Sequence, residues 1–168
     1  MEPYSPAHVQ DALDVLVPGT AMVFFETTTA TSQQAADNIG CLLGQIVKSL
    51  CFIVELNGAD QPILVLASGD QRVDDRKLAE YYGVGRKKVR IATPDECVNI
   101  YGYPPGGVPP LGHRTARLPI FIDQSLGRFD MLYAAGGAHN AIFPITLADL
   151  QRATAGVMMD VVREASAG

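Results

Sequence analysis

Lys48 stands inside one of the most strand-like stretches of the chain, QIVKSLCFIVELNG over residues 45–58. In an extended strand it shares a face with Ile46, Leu50, Phe52 and Val54. If those side chains enter the core, so does the lysine. An unpartnered buried ammonium is costly, so Lys48 must sit at a strand end or line a cleft. One reading is a lysine that snorkels to solvent. The other is a cation aimed at a phosphate or a carbonyl oxygen.

The second chemical signal is Gly102 to His113, GYPPGGVPPLGH, with four glycines and four prolines in twelve residues. Prolines fix φ and remove donors; glycines let a ligand approach the backbone. Such a loop either makes a stiff connection or holds its few remaining N–H groups in one direction, as an oxyanion hole requires. His113 closes the loop. His139 follows Gly136-Gly137-Ala138, and Asp123 ends an apolar run. Two widely separated histidines without HxH or HxxxH spacing are weak evidence for a metal, so none is expected, and a metal-dependent hydrolase using His113, His139 and Asp123 stands only as a further alternative. No GxSxG elbow, Walker loop or dinucleotide fingerprint is present, and no cofactor is expected. Arg86-Lys87-Lys88 with Arg90 is the only basic cluster, readable as a solvated turn or as a phosphate contact.

The elements that must position these groups follow from period and punctuation. Helices are expected at Ala7–Leu16, from Ser32 to Gly40, at Asp74–Tyr82, from Thr93 to Gly102 and at Thr146–Ala155. Strands are expected at Ala21–Thr27, within 45–56, at Gln61–Ala67, Lys88–Ala92, Leu118–Asp123, Phe129–Ala134 and Asn140–Ile145, with a short last one at Val157–Val161. Asn57-Gly58 marks a hairpin. Without a strict βαβ rhythm, this is an α+β domain with a mixed sheet, partly curled toward a barrel and surrounded by helices.

The 168 residues suit one domain spanning 1–168, with 48% hydrophobic and 18% charged residues. A net charge of −5 argues against a protein that grips nucleic acid by a broad basic surface, though not against one that touches only a nucleotide end. Cys41, Cys51 and Cys97 show no CxxC, which fits reduced thiols in a cytoplasmic protein. Cys51 is expected in the core. The start, MEPYSPAHVQDALD, has no basic stretch followed by an apolar one, and no apolar run has membrane-spanning length.

In their order, the pieces resemble the YbaK/ProRS-associated editing-domain family, the trans-acting aminoacyl-tRNA deacylases. AADNIGCLLGQIVKSL resembles the family's helix, glycine turn and lysine-bearing strand. PILVLASGDQRVDDRKLAEYYG resembles its second strand, Gly-Asp turn and following helix. Gly102-Tyr103 with Gly106 to Pro110 resembles its GxxxP loop, and LPIFIDQSL with YAAGGAHNAIFPIT its closing strands. The likeness runs from about Thr27 to Leu150.

The resemblance implies hydrolysis of the ester between a wrong amino acid and the 3′ end of a tRNA, on a sheet curled into a barrel-like core. It implies that Lys48 places the aminoacyl-adenosine end and that Gly106 to Pro110 lies beside the ester. On this reading Lys48, Gly106, Gly107 and Asp123 serve catalysis. Ser49, Val108, Pro109, Pro110, His113, Gly136 and His139 contact substrate, the histidines shaping the pocket rather than acting as required bases. Water or a substrate group attacks. Ser49 follows Lys48 where alanine-specific relatives carry Lys-Asn, which leaves cysteine, serine, threonine or another small amino acid open, with tRNA-Pro as a candidate. Expected partners are the acceptor end of a mischarged tRNA and a synthetase; a homodimer stays open. The competing reading is a non-catalytic module of the same fold that binds a tRNA end or a synthetase.

Overall fold

The computed structural model describes residues 1–164. Its centre is the hairpin β2 (Ile46–Leu56) and β3 (Ala59–Ser68), paired antiparallel from Val47↔Ser68 to Leu56↔Ala59. Asn57 and Gly58 turn it with φ of 53° and 78°. Two successive positive φ values match the twist of the strands, which is why Asn-Gly serves there. From β3 the sheet continues in parallel to β5 (Ile120–Asp123) and β8 (Val157–Met159).

The other edge of β2 is shared. β6 (Met131–Ala135) pairs in parallel at Ile46 and Val47, and β4 (Val89–Ile91) antiparallel at Phe52 to Val54. Between them, Lys48 to Leu50 have no strand beside them on this edge among the described residues. Beyond β6 come β7 (Ala141–Thr146) and β1 (Val23–Phe24). β1 and β8 end the path of pairing.

Alternation along β2 separates two apolar faces. Val47, Cys51 and Ile53 enter the larger core with Leu64 and Leu66 of β3, Ile122 of β5, Leu132 of β6 and Phe143 of β7. One core drawing on five strands means that the sheet wraps around it. Val9 and Leu13 of α1 (Pro6–Leu16) and Leu150 of α5 (Leu147–Thr154) help to close it. On the opposite face, Phe52 and Val54 pack under Leu78 and Ala79 of α3 (Asp75–Tyr82). Ile46 packs under Ala35 and Ala36 of α2 (Ser32–Ile39).

Three expected elements come out shorter or differently wound. β1 keeps only two residues, both exposed, because it has one neighbour and no core face to bury. The last strand stops at Met159. The helix from Thr93 is regular only over α4 (Pro94–Glu96) and then widens into a π turn at Cys97–Tyr101. There the Gly102 N–H reaches the Cys97 carbonyl. The fully buried Tyr101 fixes this turn, its hydroxyl donating to the Ile63 and Phe52 carbonyls at 2.6 and 3.1 Å. The proline-glycine loop therefore leaves a rigid base.

Candidate active site

The gap beside Lys48 to Leu50 opens into a cleft of about 280 Å³. Three segments wall it: Thr29 to Ser32 with Ala35 of α2, Ile46 to Leu50 of β2, and Gly106 with Val108 of the loop; Ala135 and Ile142 complete it. Lys48 is the only ionisable side chain of this lining. Its ammonium donates to the Gln71 carbonyl. Desolvation pushes its pKa below the ordinary lysine value, the Asp70 charge opposes this, and Arg72 adds to it.

Backbone donors supply the rest of the polarity. Thr31 caps α2, its hydroxyl accepting from the Gln34 N–H at 3.1 Å. Among the described residues, the Ser32 and Gln33 N–H groups have no protein acceptor, as expected in a first helical turn. The same holds for the N–H groups of Gly106 and Val108. Lys48, the start of α2 and two loop residues with unpaired amides thus line one cleft without a carboxylate in its wall. That arrangement suits developing negative charge on a carbonyl or phosphate oxygen. Gly106 holds φ at 87°, and a Cβ added there would lie 3.3 Å from the Ala30 Cβ. Glycine is what allows the loop to close against the Thr29 to Ser32 wall.

Other expected residues play different parts. The Gly107 amide is consumed in a turn, donating to the Pro104 carbonyl at 3.1 Å, so Val108 replaces it as the second free donor. Asp123 lies outside the cleft and is fully buried. Its two oxygens accept from the Ser125 N–H at 2.9 Å and the Val161 N–H at 2.8 Å, so it ties β5 to the segments after it. Pro109 and Pro110 are buried supports of the loop. Gly136 donates to the Ala141 carbonyl at 2.8 Å in the β6–β7 turn, next to the lining residue Ala135 but not itself in the cleft wall. The His139 ring is exposed beyond the cleft lining, while its carbonyl accepts from both the Thr29 N–H and the Thr28 hydroxyl. It steadies the cleft wall through its backbone.

His113 is a brace. Because a carbonyl can only accept, its Nε2–H donates to the Pro109 carbonyl, at 2.7 Å. Burial pushes its pKa down to about 4. Between the unfolded value of about 6.5 and that folded value, the unfolded chain binds the extra proton, so folding stability falls as pH drops through this window. The loss has an upper bound of about 3 kcal/mol, since the ring keeps part of its edge in solvent. Denaturant melts from pH 7 to 4 should show it, and His113→Gln should flatten the slope; an equal slope in the variant would exclude the brace as its source.

Ser49 lines the cleft wall, but by strand parity its side chain turns toward the larger core, where Oγ is shielded without a hydrogen-bond partner. An orphan buried hydroxyl is unfavourable by about 1–3 kcal/mol. Ser49→Ala is therefore expected to leave stability unchanged or raise it by about 1 kcal/mol in denaturant melts. A clear loss of stability would show that the hydroxyl is bonded.

Of the residues not anticipated, the run Thr29 to Ser32 with Ala35 matters most. Its hydroxyl-rich composition, TTTATS over 27–32, was a signal for a polar wall. Its position opposite Lys48 was not legible. Three members of the basic cluster are paired: Arg86 meets Asp75 at 2.9 Å, Lys88 meets Glu55 at 3.1 Å and Arg90 meets Glu96 at 2.7 Å. Among the described residues no group of three or more His, Cys, Asp or Glu is placed to hold a metal, and no helix is long and apolar enough to cross a membrane.

A curled mixed sheet, with a strand-borne lysine facing a glycine-proline loop, defines the class of the aminoacyl-tRNA editing fold. The chain belongs to the aminoacyl-tRNA editing domain family, whose model matches residues 26–153. It is 37% identical over 142 residues to the uncharacterized protein YwhH of Bacillus subtilis (strain 168), covering 83% of this chain and 85% of that protein. It is 36% identical over 81 residues to proline--tRNA ligase of Staphylococcus aureus (strain Newman), covering 48% of this chain and 13% of that enzyme. A crystal structure described as a candidate trans-editing enzyme for prolyl tRNA synthetase superposes with a TM-score of 0.84 at 36% identity, covering 95% of this chain and 97% of that one. The structure of hypothetical protein APE2540 superposes with a TM-score of 0.81 at 28% identity, over 93% and 99% of the two chains.

Proposed function

We propose that the protein is a trans-editing deacylase that hydrolyses the ester of a tRNA-Pro carrying a wrong, small amino acid. The observation that carries this reading is the cleft itself: one lysine, the open end of α2 and two free loop amides, without a carboxylate, imidazole or thiol in its wall. A site of this kind offers charge stabilisation and positioning but no general base of its own. An aminoacyl ester is a substrate that needs little more, because it is already activated.

In the reaction, water adds its oxygen to the ester carbonyl carbon. The carbonyl oxygen takes up negative charge against the Gly106 and Val108 amides. The bond to the ribose oxygen then breaks, releasing the amino acid and the free hydroxyl of the terminal ribose. Lys48 and the start of α2 steady the phosphate or ribose side. The proton leaving the water passes to the departing ribose oxygen through solvent or a substrate group.

The cleft of about 280 Å³ has room for a small side chain beside the ribose. A largely paired basic cluster and a net charge of −5 leave little electrostatic grip for the body of a tRNA. Prolyl-tRNA synthetase, named by two of the similar proteins, is the proposed partner that holds the tRNA nearby. The decisive experiment incubates the protein with tRNA-Pro charged with cysteine, alanine, serine, threonine or proline, with and without a chelator. Release of a small non-cognate amino acid, unaffected by chelator, is expected. Failure to release any of them, with retained binding to the charged tRNA, would establish the non-catalytic module instead.

A further inference from the structure

We propose that Asp70 and Arg128 form a clamp that fixes the turn carrying Gln71 and so positions the Lys48 ammonium at the cleft. This rests on the reading of Lys48 as a site residue. Lys48 has a four-carbon stem and would otherwise sample many rotamers. What holds its tip is the main-chain carbonyl of Gln71. A carbonyl on a loose turn would hold nothing, so the rigidity of residues 69–72 decides where the charge sits.

The Arg163 N–H holds the far end of that turn at the Arg72 carbonyl, at 2.7 Å, and three further ties bear on its Gly69–Gln71 side. The Gly69 N–H donates to the Ile46 carbonyl at 2.8 Å, and the buried Ser68 hydroxyl to the Gly44 carbonyl at 2.7 Å. The third tie is the clamp. Arg128 meets Asp70 with both guanidinium nitrogens, Nη2 to Oδ1 at 2.7 Å and Nη1 to Oδ2 at 3.1 Å. A two-pronged pair of this kind fixes orientation as well as distance. Arg128 is itself oriented, since its Nε–H donates to the Ser125 carbonyl at 2.7 Å and its guanidinium lies 5.0 Å from the centre of the Phe129 ring. Gly44 leaves room for the pair: a Cβ there would lie 2.9 Å from both Arg128 Nη2 and Asp70 Oδ2.

The pair is partly exposed, with side-chain accessibilities of 43% for Arg128 and 33% for Asp70. Ion pairs this open contribute little to folding. A clamp built this carefully for so little stability is explained by the group that it aims. Asp70 also supports Lys48 by charge. Its own carboxyl is held below the usual range, first by the Arg128 hydrogen bond, so it stays ionised and favours the charged lysine. Arg72, exposed on the same turn, opposes it. Within the cleft wall no other ionisable side chain faces Lys48.

The test uses the full chain with ¹³Cε-labelled lysine, following Lys48 by NMR against pH and single-turnover deacylation in parallel. Asp70→Asn is expected to lower the Lys48 pKa and to reduce the rate constant at saturating enzyme by roughly 10- to 100-fold, as displaced catalytic groups do. Its melting temperature should stay close to that of the parent. Arg72→Ala, on an exposed side chain, is expected to shift the Lys48 pKa upward. Arg128→Lys, which keeps the charge but loses the fork, should fall between parent and Asp70→Asn in rate. An unchanged Lys48 resonance, pKa and rate in Asp70→Asn would overturn the clamp while leaving the deacylase reading intact. Should the parent release no amino acid from any charged tRNA, that reading fails on its own, and the Lys48 ¹³Cε resonance in Arg128→Lys, displaced from the parent's if the fork holds the turn and unchanged if it does not, still decides whether the clamp sets the lysine.

Discussion

Lys48→Met is expected to lower deacylation by roughly 10²–10³-fold, the cost of removing one preorganised electrostatic group from a reaction centre. Methionine keeps the length and apolar stem of lysine, so the change takes away the charge and its bond to the Gln71 carbonyl and little else. Stability should move by no more than about 1 kcal/mol, because one net hydrogen bond is lost while a partly desolvated cation is relieved. The measurement is single-turnover release of a labelled amino acid, beside a denaturant melt of the same preparation. A variant with the parent's rate would remove Lys48 from the mechanism. A variant that unfolds would place the lysine among structural groups.

Gly106→Ala is the second expected effect, and it acts on geometry rather than charge. At φ of 87° an alanine is strained, and its Cβ would meet the Ala30 Cβ at 3.3 Å and the Ala30 carbonyl oxygen at 3.5 Å. Left-handed backbone costs an L-residue roughly 1–2 kcal/mol. To relieve the strain and the contact, the loop or the Ala30 wall gives by a few tenths of an ångström, which moves the Gly106 and Val108 amides relative to that wall. A shift near 1 Å in such donors is worth on the order of 10²-fold in rate, so a few tenths of an ångström is expected to cost roughly 3- to 10-fold. Gly58→Ala is the internal control. Its φ is 78°, but nothing lies within 4 Å of the added Cβ, and it sits at the far hairpin tip. It should show a similar loss of stability with unchanged deacylation. If both variants lost activity equally, the loop amides would not be the catalytic donors.

The two glycines also show how far local sequence reaches. Asn57-Gly58 declared its turn because a two-residue hairpin needs positive φ at both positions, a demand met by the two residues themselves. Gly106 declared only permissiveness. That its freedom is used against Ala30 depends on a segment about 75 residues earlier. His113 and Asp123 carry the same lesson from the other side. Both are residue types that could do chemistry, and both turn inward to backbone partners, His113 to Pro109 and Asp123 to Ser125 and Val161. A titratable side chain announces what it can do, while its partners decide whether it is free to do it. Gly107 fails as a donor for the same reason, its amide being taken by Pro104.

By itself the sequence determined the α+β class, the central hairpin, most helix caps and the inward parity of Lys48. Each is a consequence of neighbours within a few residues: the alternation of a strand, the period of a helix, the φ that a turn imposes. It also carried the order of motifs that marks the editing family. Only the tertiary structure decided that β2 has, among the described residues, no second neighbour at Lys48 to Leu50, because β6 and β4 share its edge from opposite ends. Only it brought the start of α2 and the amides of Gly106 and Val108 to that gap, and the Asp70–Arg128 pair to the turn that holds the lysine. These are contacts between segments far apart along the chain, fixed by how the sheet curls around its core, and no local propensity encodes them.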